Sequence, residues 1–121
     1  MADKILSLQL IVLGPPEARL GERLLTFPTR KTLALLIYLA VETGLQPREH
    51  LAALLWPEAS PERSHANLRN TLGHLQTTLR PAGDQTQIPY LSITNQALGL
   101  NPDANIDFDL RIIERLYLGA H

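Results

Sequence analysis

Helical periodicity dominates Pro61-Glu-Arg-Ser-His-Ala-Asn-Leu-Arg-Asn-Thr-Leu-Gly-His-Leu-Gln-Thr-Thr-Leu79. A capping serine, a first-turn proline and an acid near the positive end of the helix dipole stand at its start, as Ser60-Pro61-Glu62. At about 100° per residue, four leucines fall on one side of the helical wheel, three of them within roughly 40° of Leu68. They are Leu68, Leu72, Leu75 and Leu79. The pattern predicts one long helix with a single apolar stripe.

The opposite face of this predicted helix is polar and carries no carboxylate after Glu62. Its side chains are Arg63, Asn67, Asn70, His74 and Thr77. Arginine, asparagine and threonine are the residue types that meet base edges in the major groove of DNA. Gly73 lies among them and costs about 1 kcal/mol of helix propensity relative to alanine. A close approach by another surface would explain that glycine, whereas the alternative reading is a solvated helix face.

Two shorter helices are predicted before the long one. Thr29 can cap a helix that runs to about Thr43, with Gly44 as its stop. Its apolar positions at helical spacing are Leu33, Leu36, Ile37, Ala40 and Val41. A second helix begins near Pro47 and ends at Trp56. Its predicted buried residues are Leu51, Leu54 and Leu55.

Strand patterns flank the three helices. Residues 5–13 alternate and then become wholly apolar, and residues 18–20 and 23–27 surround a Gly21-Glu22 turn. They predict a small antiparallel sheet of two or three strands. Residues 90–94 and 97–100 surround Asn95-Gln96 and predict a second hairpin. Residues 106–116 have an amphipathic helical pattern, within which Asp107 and Asp109 are expected to cap or solvate the helix.

The order of these elements predicts the fold class. Strands, three helices and then a hairpin make an α+β fold. The same order is that of a winged helix-turn-helix, with an N-terminal antiparallel sheet and a C-terminal β-hairpin wing.

Composition limits the functional classes. The chain has 121 residues, 45% of them hydrophobic and none of them cysteine, which suits one domain without disulfides or thiolate chemistry. A net charge of −1 excludes a strongly basic coat, but residues 30–80 carry six basic against four acidic side chains. The longest apolar run spans nine residues, whereas a membrane span needs roughly 20. With no signal-peptide pattern at the N-terminus, we expect a soluble cytoplasmic domain.

Catalytic and metal motifs are not found. Ser60, Ser64 and the histidines form no Ser/His/Asp pattern, and the chain has no glycine-rich phosphate loop. His65 and His74 lie nine residues apart without a carboxylate at ligand spacing. We therefore expect no enzyme activity, no cofactor and no metal site.

Several segments together resemble one protein family. They are Leu10–Gly14, Arg30-Lys-Thr-Leu-Ala-Leu-Leu-Ile-Tyr-Leu-Ala40, Arg48-Glu-His-Leu-Ala-Ala-Leu-Leu-Trp-Pro57, Ala66–Leu79, Leu98-Gly-Leu-Asn101 and Ile106-Asp-Phe-Asp109. The chain resembles the N-terminal DNA-binding domain of the antibiotic-regulatory-protein (SARP-type) transcriptional activators, whose fold is the OmpR-type winged helix. The resemblance extends over almost the whole chain, and the Leu-Leu-Trp-Pro segment followed by Asn-Leu-Arg is its most specific part.

The resemblance implies a role for each element. The second helix would cross the DNA backbone, the third would enter the major groove, and the hairpin would reach the adjacent minor groove or backbone. The implied base contacts are Arg63, Asn67, Asn70 and His74. The implied phosphate contacts are Arg48, Trp56, Ser60, Arg69 and Thr71, although Trp56 is most simply a core residue. The implied wing residues are Thr94, Asn95 and Gln96.

Domain division and partners also follow from the resemblance. Residues 1–102 would be the DNA-binding domain, and residues 103–121 would begin a helical activation-domain segment. The implied partners are double-stranded DNA with direct repeats, a second copy of the chain, and RNA polymerase through further regions. The wing turn and residues 75–78 lack the basic residues expected there. This departure leaves a second hypothesis open, a winged-helix module that binds another protein within a larger signalling regulator.

Overall fold

A computed structural model of the protein describes residues 7–80 and 89–109. These residues form an α+β structure with three helices and two small, mostly antiparallel sheets. The helices are Arg30–Val41 (α1), Arg48–Leu55 (α2) and Pro61–Thr78 (α3). The strands are Leu8–Ile11 (β1), Glu17–Leu20 (β2), Arg23–Leu24 (β3), Gln46–Pro47 (β4), Leu91–Ile93 (β5), Ala97–Leu100 (β6) and Ile106–Phe108 (β7).

The first sheet has the order β3-β2-β1-β7. Strands β1 and β2 pair antiparallel, and β3 returns after the Gly21 turn, as the sequence predicts. Leu8 and Leu10 alternate into the core, because successive side chains of a strand point to opposite faces. The predicted two or three strands become four, because β7 pairs parallel to β1.

Strand β7 corrects the first three residues of the helix predicted over residues 106–116. Ile106 and Phe108 turn inward and Asp107 turns outward, which is the two-residue period of a strand. This strand pairs with β1. Asp107 is exposed, as predicted, and both acids also accept hydrogen bonds from the region of β1. The Asp109 carboxylate accepts hydrogen bonds from the backbone N–H groups of Val12 (3.0 Å) and Leu13 (3.1 Å). Asp107 accepts one from the Ser7 hydroxyl at 3.2 Å. Asp109 is helical, and residues 110–116 of the predicted helix lie outside the described residues.

Helix α1 begins as predicted, since the Thr29 side chain accepts a hydrogen bond from the Thr32 N–H. Its buried face differs from the prediction. The buried residues are Thr32, Leu35, Leu36, Leu39 and Ala40. Val41 is exposed and Leu33 and Ile37 are half-buried, which is a rotation of about one residue, or 100°. Apolar residues surround most of this helix, so periodicity alone does not determine its orientation.

Helix α2 corrects a second predicted face. Leu51 and Leu55 are buried as predicted, but the third buried residue is Ala52. Leu54 is exposed. Helix α2 packs mainly against α3, and Ala52 is fully buried.

The second sheet has the order β4-β6-β5. Strands β5 and β6 form the predicted hairpin around Asn95-Gln96, with Ile93 opposite Leu98. The sequence did not predict β4, two residues that pair with β6 immediately before α2 begins. This pairing connects the hairpin directly to the start of α2.

Gly99 in β6 allows the hairpin to lie against the loop after α1. A Cβ atom at this position would stand 2.8 Å from the Gly44 carbonyl oxygen and 3.3 Å from the Leu45 Cα. We expect Gly99→Ala to lower the free energy of unfolding by about 1–3 kcal/mol, because backbone atoms would have to move. Urea denaturation measures this loss, and unchanged stability would contradict the close contact.

Candidate nucleic-acid interface

The polar face of α3 is the candidate site. Arg63, Asn67, Asn70 and His74 follow one another at helical spacing and fall within an arc of about 60° around the axis. Asn67 is half-buried and the other three are exposed. From the first to the last, the row extends about 16 Å at 1.5 Å per residue. That length matches roughly five base pairs of duplex DNA at 3.4 Å each.

Local sequence determines where α3 begins. The Ser60 hydroxyl oxygen accepts a hydrogen bond from the Arg63 N–H at 3.2 Å, and its carbonyl accepts one from the Ser64 N–H at 2.8 Å. Pro61 occupies the first turn, where no N–H is needed. Ser60 is exposed, so its hydroxyl hydrogen can be donated to a phosphate.

One cation, Arg63, belongs to this face, and a second, Arg69, flanks it. Arg63 and Arg69 are exposed on α3. Within residues 7–80 and 89–109, neither guanidinium forms an ion pair; the pair found there joins Arg19 and Glu17. Both charges can therefore contact an anion without breaking an existing bond.

Thr71 corrects the predicted set of phosphate contacts. Only 6% of this residue is exposed. It stands three residues after Leu68 and four before Leu75, which places it on the buried side of α3. A side chain in that position cannot reach a phosphate, so Thr71 belongs to the core.

Trp56 lies at the end of α2, half-buried and packed against the core. Lys31, which sequence reasoning did not single out, lies 5.7 Å from the centre of its ring. The Lys31 ammonium also donates a hydrogen bond to the Leu55 carbonyl, the last of α2. In the sequence, Lys31 is marked only by its place beside Arg30 at the start of α1. Its partner Leu55 lies 24 residues away, so spacing along the chain could not reveal the contact. The phosphate role of Trp56 stays a prediction.

Arg48 is placed against the hairpin turn. Its Nε and one terminal nitrogen donate to the Thr94 carbonyl at 3.1 and 2.8 Å. The predicted wing residues Thr94, Asn95 and Gln96 are all exposed in this turn. The structure thus brings Arg48 together with the wing residues, and α2 connects them to α3.

A groove of about 330 Å³ lies elsewhere, between the end of α1 and β7. Leu39, Leu100 and Phe108 supply much of its lining, and Asp107 is its titratable residue. One carboxylate, already bonded to Ser7, does not make an acid–base pair. The face of α3 is therefore the better candidate site.

Among the described residues, no three His, Cys, Asp or Glu side chains are grouped closely enough to hold a metal ion. None of the described helices combines the length and hydropathy needed to cross a membrane. The chain matches no model of a known protein family, and no curated protein matches it.

Proposed function

We propose that this chain is a winged helix-turn-helix domain that binds duplex DNA sequence-specifically, within a bacterial transcription regulator of the cytoplasm. Helix α3 would be the recognition helix, and the β5–β6 hairpin would be the wing. The order of the elements and the packing of α2 on α3 support this assignment.

The exposed face of α3 carries the proposal. It combines amide, imidazole and guanidinium groups on one side of a helix, with no carboxylate after Glu62. Arg63 would contact guanine, and Asn67 and Asn70 would contact adenine, in the pairings that side-chain geometry favours. Buried leucines on the other side hold the row rigid, and rigid support makes base contacts selective.

The small excess of basic side chains in residues 30–80 limits the expected affinity for DNA. Few phosphates can be neutralised by Arg63, Arg69 and their neighbours, so one domain would bind weakly. Two copies on direct repeats would raise the affinity through an increased effective concentration. Binding would still weaken as salt increases, because counterions are released.

Fluorescence anisotropy with two duplexes tests the function. One duplex is random, the other is selected by this protein from a randomised pool, and each is titrated at two salt concentrations. We expect the selected duplex to bind at least about tenfold tighter, which corresponds to roughly 1.4 kcal/mol. Equal affinity for both duplexes would exclude sequence-specific binding.

Gly73→Ala should change the stability of the free protein and its affinity for DNA in opposite directions. Among residues 7–80 and 89–109, nothing beyond the helix's own backbone lies within 4 Å of a Cβ placed at Gly73, so alanine fits and should stabilise the free domain by about 0.8–1 kcal/mol. We expect the same variant to bind the selected duplex more weakly, because the methyl group occupies space that DNA would fill. Thermal unfolding and anisotropy measure the two effects, and unchanged or tighter binding would contradict the close approach.

Protein binding is the second candidate function. Leu54 is 47% exposed on α2, and the turn at Thr94, Asn95 and Gln96 carries no positive charge. An apolar helix surface and a neutral turn suit a protein partner better than a phosphate backbone. Equal or absent binding to the two duplexes would favour this candidate.

A further inference from the structure

Arg48 makes hydrogen bonds that a phosphate contact does not require. Two N–H groups of its guanidinium donate to one oxygen, the Thr94 carbonyl, at 3.1 and 2.8 Å. Its backbone N–H donates to the Gln96 carbonyl at 2.8 Å. A single residue at the start of α2 therefore holds the carbonyls on both sides of Asn95.

The turn that Arg48 holds is also closed internally. The Thr94 hydroxyl oxygen lies 2.9 Å from the Ala97 N–H and 3.2 Å from the Gln96 N–H, and accepts from both. The Thr94 N–H donates to the Ala97 carbonyl at 2.9 Å. These bonds define the shape of the turn but do not determine its direction. The bonds from Arg48 orient it relative to α2, and α2 packs on α3.

We propose that Arg48 is a positioning residue, which orients the hairpin turn for binding instead of contacting a phosphate itself. This inference rests on the proposed DNA-binding function. A turn held in its bound orientation loses less conformational freedom on binding. The planar fork of arginine suits this role, because a lysine ammonium cannot place two rigid N–H groups on one carbonyl.

The experiment combines two measurements on wild type, Arg48→Ala and Arg48→Lys. Backbone order parameters of Asn95 and Gln96 are measured by NMR in the free protein. Affinity for the selected duplex is then measured across a salt series. Arg69→Ala is the matched control, because its guanidinium is exposed and its predicted phosphate role is direct.

If Arg48 positions the turn, both Arg48 variants lower the order parameters, from about 0.85 toward 0.6. Both also weaken binding by about three- to tenfold, the range expected for ordering one flexible element. The salt dependence stays that of the wild type. The control, Arg69→Ala, instead lowers the slope of log K against log salt by about 0.9, the value expected for the loss of one phosphate contact.

Two results would overturn the proposal. The first is wild-type order in both Arg48 variants. The second is a pair of results: Arg48→Ala lowers the slope of log K against log salt by about 0.9, and Arg48→Lys binds the duplex as tightly as the wild type. Together they would make Arg48 a phosphate contact. If the wild type binds both duplexes equally, the proposed function fails. The order parameters of the free protein still decide whether Arg48 holds the turn.

Discussion

Leu51→Ala lowers the free energy of unfolding by about 2–5 kcal/mol, whereas Leu54→Ala lowers it by less than about 1 kcal/mol. Both residues lie on α2, but Leu51 is 0% exposed and Leu54 is 47% exposed. Removing the buried side chain leaves a cavity between α2 and its neighbours, while the exposed one has little burial to lose. Urea denaturation followed by circular dichroism measures the shift in midpoint at a constant m value.

The pair is its own control, because both variants make the same chemical change within one helix. Alanine and leucine differ little in helix propensity, so that contribution is small and shared. Equal losses at the two positions would mean that α2 buries the face predicted from its sequence. Such a result would contradict the packing of α2 described above.

The orientation of α1 and α2 shows what the sequence could not predict. The apolar spacing of Leu51, Leu54 and Leu55 fits a helix, and so does the observed set with Ala52 in place of Leu54. The choice between them depends on how α2 packs against α3, which the spacing of residues within α2 does not show. Periodicity therefore predicted that these helices exist but not which side is buried.

The pairing of strands that are far apart in the sequence was the other feature that could not be predicted. Strand β7 pairs with β1, and the Asp109 carboxylate reaches Val12 across 97 residues of sequence. A segment as short as residues 106–108 fits either a helical or a strand period. The hairpins were predicted correctly, because their turns and both strands are contiguous in the sequence.

The candidate site was more predictable than the core. Ser60, Pro61 and the leucine stripe determine both the start and the orientation of α3. The polar row was therefore correctly predicted to be accessible, with Asn67 half-buried. Thr71 was the exception, because threonine is polar enough for a surface and small enough for a core. The Arg48 contact depends on the hairpin, so α2 alone could not reveal it.

Arg63→Ala and Asn70→Ala should each reduce discrimination between the selected and random duplexes by about 1–3 kcal/mol. The two residues lie about 10 Å apart along α3. Their effects should therefore add, giving about 2–6 kcal/mol in the double variant. The loss should come from the selected duplex, since a base contact contributes little to binding a random sequence.

Gln76→Ala provides the matched control for these two substitutions. Gln76 is also exposed on α3, but it lies about 140° around the helix from Arg63. Removing its amide should leave discrimination unchanged, whereas removing the amide of Asn70 should reduce it. Anisotropy titrations of each variant with both duplexes, at one salt concentration, give the ratio directly. Wild-type ratios in both Arg63→Ala and Asn70→Ala would show that α3 does not read bases, even if the domain still binds DNA through its charge.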